Sequence, residues 1–155
     1  MSTAMPPPRL RILPPSLVLL LLLSILALWG FLPGPELLPA PWRWLGVPVT
    51  LLSVVILMGA SRQFHAAKTN IKTFDAPGTL VTTGWFRFSR NPMYVGFTLL
   101  LVGAAAVAGC AFALASPIVF ALISARIYIP FEESALSRAF GDAYETYRRR
   151  VRRWL

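Results

Sequence analysis

Residues 84–94 read Gly84-Trp85-Phe86-Arg87-Phe88-Ser89-Arg90-Asn91-Pro92-Met93-Tyr94, a polar, basic stretch set between long apolar runs. Its Asn91-Pro92 step marks a helix start. Asn is a favoured N-cap because its side chain accepts a bond from a backbone N–H that the helix leaves unpaired. Pro suits the first helical position, where no N–H is needed. Residues 95–108 are almost all apolar. The reading is a helix that begins at a membrane surface with Arg90 beside its positive end, a ready place for an anion. Trp85, Phe86, Phe88 and Tyr94 lie around it, and their ring faces attract cations. The chemistry this stretch points to is an anion and a cation held together at the edge of a bilayer.

The composition agrees with a membrane setting. Of 155 residues, 56% are hydrophobic and 14% charged, and the mean hydropathy is +0.63. That is a membrane protein's usage rather than a soluble one's. The length suits one domain, so residues 1–155 are read as a single unit with a Pro-rich, disordered tail over residues 1–15. The net charge is +9. Because the cations flank apolar runs, anionic lipid headgroups account for them, and nucleic acid is not an expected partner. The single cysteine, Cys110, excludes a disulfide within the chain, and with His65 as the only histidine no multi-ligand metal spacing exists. Cys110 is read as a buried structural thiol.

Four runs approach the roughly 20 residues needed to span a bilayer: residues 16–32 (extended by Ile12 and Leu13), 45–60, 93–109 and 111–129. Trp42 and Trp44 fit an interfacial belt. Gly96 and Gly103 give the third run small faces for close helix packing. Between the second and third runs lies the longest polar segment, residues 61–91, with Arg62, His65, Lys68, Lys72, Asp75, Arg87 and Arg90 and a turn at Asp75-Ala76-Pro77-Gly78. After Pro130, Leu136, Phe140, Tyr144, Tyr147, Val151 and Trp154 recur on one helical face. Arg148, Arg149, Arg150, Arg152 and Arg153 occupy the others, which reads as an amphipathic helix lying on the membrane. The fold class is an all-α membrane protein of about four transmembrane helices plus a C-terminal amphipathic helix. The Lys/Arg bias places the N-terminus, the long loop and that last helix on the cytoplasmic face.

Glu132-Glu133, at the head of the last helix, suit its positive dipole end. One reading is that they pair with Arg126, Arg138 or Arg87 and orient the helix. The other is that one carboxylate accepts hydrogen bonds from a pair of ligand hydroxyls, such as a ribose offers. No Gly-rich phosphate loop or nucleophile elbow is present. Charges inside the spans are too few for a filter or voltage sensor.

Together, Leu80-Val81-Thr82-Thr83-Gly84, Phe86-Arg87, Ser89-Arg90-Asn91-Pro92-Met93-Tyr94 and Gly103, followed by Glu132-Glu133, Leu136, Phe140-Gly141, Tyr144 and Tyr147, resemble the core of the isoprenylcysteine carboxyl methyltransferase and phospholipid methyltransferase superfamily. The resemblance covers about residues 64–151. It implies an integral-membrane methyltransferase that uses S-adenosylmethionine without a Rossmann fold and methylates a lipophilic acceptor, a carboxyl oxygen above all. Carried over by position, Leu80, Val81, Phe86, Arg90, Asn91, Pro92, Met93, Tyr94, Glu132 and Glu133 would line the cofactor pocket, and Arg126 would lie on the substrate side. Eukaryotic members have His where this chain has Asn91, and Asn cannot act as an acid or base. The sulfonium would face Tyr94 or Phe86 and the aminoacyl carboxylate Arg90. Two alternatives stand beside this reading: an NADPH-dependent membrane reductase of the sterol-reductase type, and a non-enzymatic protein with the same fold.

Overall fold

Long apolar runs fold as helices because every backbone polar group must be satisfied within the segment in lipid. The computed structural model describes residues 12–32, 34–67 and 78–155. It contains α1 (Pro14–Phe31), α2 (Gly46–Ala66), α3 (Pro92–Ala108), α4 (Ala115–Ile123), α5 (Ile129–Phe140) and α6 (Asp142–Arg150). Short 3-10 turns precede α2 and α4, at Trp42–Leu45 and Ala111–Leu114, and a third, Gly84–Arg87, lies in the segment before α3. Among the described residues the only β-pairing is an isolated bridge between Glu36 and Cys110. Most of the expected tail, Lys68, Lys72 and Asp75-Ala76-Pro77 of the expected turn lie outside the described residues.

Among the described residues three helical stretches are long and apolar enough to cross a membrane: Pro14–Phe31, Trp42–Ala66 and Ala111–Phe140. The third expected span, α3, has 17 residues, about 26 Å of helix. It is the central rod. Its Tyr94, Leu101 and Ala105 pack with Leu17, Val18 and Ile25 of α1 and Phe120 of α4 in one core. Its other side is pressed onto α2. A Cβ at Gly103 would fall on the Thr50 hydroxyl and lie 2.8 Å from the Gly46 carbonyl oxygen. The two backbones meet there because neither carries a side chain.

Three boundaries differ from the sequence reading. Helix α2 continues six residues past Ala60 to Ala66 and takes Arg62 and His65 into its last turns. The fourth run does not stop at Pro130. A π-helical turn over Ser124–Tyr128 carries α4 straight into α5. Proline in a helix lacks an N–H and its ring collides with the carbonyl four residues back; the wider π-turn absorbs that mismatch. Glu132 and Glu133 therefore sit inside a continuous rod and not at a helix head, so the expected dipole contact is absent. Finally, the C-terminal amphipathic segment is two helices. Gly141, at φ +49° and ψ −124°, takes a conformation that side chains rarely adopt, and the chain turns there from α5 into α6.

Candidate functional site

The segment before α3 is fastened to the end of α2. The Trp85 N–H donates to Gln63 Oε1 at 3.1 Å, and the Trp85 indole lies over Gly59, where a Cβ would strike its Nε1. Phe86 turns inward, 5% exposed, with its ring edge-on to Phe64 at 4.9 Å between centroids. From the other side α6 closes down. Tyr144 and Tyr147 are buried against Ala60 and Phe86, with Leu80, Val81, Met93, Leu136, Phe140 and Val151 packed around them. The Tyr147 hydroxyl donates to the Phe86 carbonyl at 2.7 Å. The apolar face expected to lie on lipid is thus covered largely by protein, because the preceding loop offers it an aromatic partner. Leu80, Val81, Phe86 and Met93 form an apolar wall at this end of the bundle.

Beside that wall the charged residues converge. Arg90 and Glu133, with side chains only 9% and 12% exposed, form an ion pair, Nη2 to Oε1 at 3.0 Å. Arg153 reaches the same carboxylate, Nη2 to Oε2 at 2.6 Å and Nε to Oε1 at 3.2 Å. Glu132 accepts a hydrogen bond from the Tyr94 hydroxyl at 2.8 Å. The Tyr94 ring is buried and packs against Phe120 and Tyr128. Both rings expected to face a sulfonium, Phe86 and Tyr94, thus already have aromatic protein neighbours.

Asn91 does not cap α3. No side-chain cap bond is made. Instead its Nδ2 donates to the Arg153 carbonyl at 2.9 Å, its N–H donates to Ser89 Oγ at 3.1 Å, and the Arg90 N–H donates to the Arg152 carbonyl at 2.9 Å. The tertiary acceptor wins over the local N–H donors. Pro92 is at the first helical position, as its missing N–H favours.

Three atoms at this site are buried with no hydrogen-bond partner: Arg90 Nε, Arg90 Nη1 and the Tyr144 hydroxyl. Buried donors are nearly always paired, and leaving one unpaired costs about 1–3 kcal/mol. Burial raises the Tyr144 hydroxyl to about 12; the Glu133 charge adds to the rise, and Arg90 opposes it. It therefore stays a hydrogen-bond donor at neutral pH. Arg90 and Arg153 share one carboxylate, so the Arg90–Glu133–Arg153 group by itself carries one excess positive charge, with Glu132 next in the chain. The chemistry of this set is that of an anion receptor.

The remaining arginines of the sequence reading are elsewhere. Arg126 is exposed on the π-turn, Arg87 and Arg138 are exposed as well, and Glu133 pairs with Arg90 and Arg153 instead. His65 Nδ1 lies 2.8 Å from the Ser61 carbonyl oxygen. A lateral groove of about 430 Å³ opens beside α2 and α3, lined by Leu57, Met58, Arg62, His65, Met93 and Phe97. Arg153 and Ser89 were not singled out by sequence. Arg153 stands in a run of five arginines over residues 148–153, and nothing local distinguishes it. Tyr144 is legible as one member of an apolar face and of the family-like motif, but not as a buried, unpartnered hydroxyl.

Comparison with known proteins adds the family. The profile of the phospholipid methyltransferase family matches residues 41–143. A protein-S-isoprenylcysteine O-methyltransferase of Schizosaccharomyces pombe is 36% identical over 75 residues, 46% of this chain and 30% of the yeast protein. An uncharacterised protein of Haemophilus influenzae is 36% identical over 63 residues, 41% of this chain and 100% of that protein. No solved structure matches. The aligned region thus spans under a third of the yeast relative's length.

Proposed function

Because the chain belongs to the phospholipid methyltransferase family, we propose that it transfers the methyl group of S-adenosylmethionine to a lipophilic acceptor at the membrane surface. The observation that carries this reading is the buried guanidinium of Arg90, with Nε and Nη1 unpartnered, next to a tyrosine hydroxyl in the same state. An aminoacyl carboxylate would satisfy those donors and neutralise the excess charge.

In this reading Arg90 and Tyr144 hold the carboxylate of the cofactor. Glu132, fixed by the Tyr94 hydroxyl, takes the ribose hydroxyls. Leu80, Val81, Phe86 and Met93 supply apolar contact for the rest of the molecule, and Asn91 and Pro92 place the start of α3. When bound, S-adenosylmethionine supplies an electrophilic methyl on a sulfonium. What the protein adds is alignment, which such a displacement needs more than a covalent nucleophile.

The described residues of the site favour one class of acceptor. Asn91 cannot move a proton, and both carboxylates are engaged, Glu133 by two arginines and Glu132 by Tyr94. An acceptor that needs no base fits best. A carboxylate is already nucleophilic at neutral pH, whereas an ammonium group must first lose a proton. We therefore favour the carboxylate of an isoprenylcysteine-like molecule, the class in the yeast relative's name. Arg126, exposed on the π-turn, is the residue the resemblance assigns to the substrate side. By Lys/Arg bias the site faces the cytoplasm, and the exposed arginines of α6 adjoin anionic headgroups.

The test is transfer itself. The full chain in lipid nanodiscs is given S-adenosylmethionine labelled in its methyl group, with either farnesylated cysteine or phosphatidylethanolamine. Label in farnesylcysteine that mild base releases as methanol is the expected result. Label only in the phospholipid amine would move the acceptor class. Consumption of NADPH with no methyl transfer would contradict the reading.

A further inference from the structure

Glu133 holds two arginines, and the two contacts are unequal. Arg153 meets it as a fork through Nη2 and Nε, at 2.6 Å and 3.2 Å. Arg90 meets it through Nη2 alone, at 3.0 Å, and keeps Nε and Nη1 unpartnered although buried. An arginine and a carboxylate without competitors tend to close into a two-bond pair. Here Arg153 already holds Oε2, the oxygen that such a closure would use. It also changes the charge. Arg90 with Glu133 alone is neutral; with Arg153 the group has a net positive charge.

The backbone that delivers Arg153 is held in place by the residues at the start of α3. Asn91 Nδ2 at 2.9 Å and Ser89 Oγ at 3.4 Å donate to the Arg153 carbonyl, and the Arg90 N–H donates to the Arg152 carbonyl at 2.9 Å. Trp154 packs against the main core. These ties fix where the Arg153 side chain begins.

We propose that Arg153 is a positioning residue: by occupying Glu133 it leaves the second edge of Arg90 open to the carboxylate of the cofactor. Asn91 then acts at one remove, by seating Arg153, a role for which an amide suffices and no acid or base is needed. The identity of the ligand rests on the methyltransferase reading above; the competition for Glu133 does not.

The experiment is calorimetry with S-adenosylhomocysteine on the full chain in nanodiscs, with a thermal unfolding curve for each variant. Arg153→Gln is expected to weaken binding about tenfold, roughly 1.4 kcal/mol, because Glu133 then closes on Arg90. Adding Glu133→Gln removes the competitor, and the double variant is expected within about twofold of wild type, a non-additivity that contact pairs show. A purely structural role for the 152–154 segment gives a double variant at least as weak as the single, which overturns the proposal. Where Arg153→Gln does not fold, Arg153→Lys keeps the charge and loses the fork. It is expected to bind about threefold more weakly and to be restored by Glu133→Gln; failure of that restoration overturns the proposal equally. Binding to wild type with equal binding to the Arg153 variant overturns this proposal alone. No binding to folded wild type overturns the ligand reading and the proposal with it.

Discussion

The seam between α2 and α3 and the cap formed by residues 78–91, α6 and residues 152–154 are held by different physics. In the seam the backbones touch at Gly46 and Gly103, Gly96 takes the side of Leu57, and Ser53 is fully buried with its hydroxyl bonded within its own helix. Fit alone joins the two rods. In the cap a handful of directional bonds does the joining: Tyr147 to Phe86, Trp85 to Gln63, Asn91 to Arg153, and two arginines on Glu133. The lesson is that the scaffold is sensitive to added volume, whereas the site is sensitive to lost polar atoms. A mutation in one region should leave the other's property intact.

The largest expected effect breaks the seam. Gly103→Leu forces a side chain into the Gly46 backbone and the Thr50 hydroxyl; overpacking of this kind costs about 3 kcal/mol. Unfolding in detergent should show that loss, and an unchanged midpoint would mean the seam is looser than described. Next is Tyr147→Phe, which leaves the Phe86 carbonyl without its donor, a loss of about 2 kcal/mol. Hydrogen exchange should rise in residues 84–88 and not in α3. A rise throughout would contradict the separation of the two regions.

Alkaline pH probes the cap through Tyr144. Its hydroxyl is raised to about 12 by burial, then by Glu133, whereas a tyrosine in the unfolded chain ionises near about 10. Between those values the unfolded state holds fewer protons than the folded one, so stability falls as pH rises. Below about pH 10 this contribution is fully present. Tyrosinate absorbance followed with unfolding should place the loss in that window, and Tyr144→Phe should remove part of it. Smaller still, Asn91→Ala gives up one bond to the Arg153 carbonyl, about 1 kcal/mol, detectable as faster exchange in residues 151–154. The smallest effect is at Arg148. Its pair with Glu145 is long, at 3.5 Å, and exposed, and such pairs contribute roughly 0–1 kcal/mol. Arg148→Gln should change neither unfolding nor ligand affinity measurably.

Much of the scaffold was legible in the sequence because its signals are local. The apolar runs and the Pro92 start of α3 depend on a few neighbouring residues. The convergence of Arg90, Tyr94, Glu132 and Glu133 at one end was legible from motif order and helix count. Where local rules failed, a tertiary partner outbid them. Asn91 exchanged its expected cap for the Arg153 carbonyl. Pro130 did not end a helix because a π-turn took up the missing bond. The face of Tyr144 and Tyr147 found Phe86 rather than lipid. Arg153 was illegible because it differs from its arginine neighbours only in what lies opposite, some 20 residues earlier at Glu133.

The central claim is that Arg90 holds the aminoacyl carboxylate of a methyl-donor cofactor, and one comparison tests it most directly. Calorimetry would compare S-adenosylhomocysteine with 5′-methylthioadenosine, which lacks that end, on the wild-type chain and on Arg90→Gln. The account predicts that wild type binds S-adenosylhomocysteine about tenfold more tightly or better, as a charge-assisted bond supplies, and that Arg90→Gln loses the preference while keeping its unfolding midpoint. Equal affinity of the wild-type protein for the two molecules would contradict it.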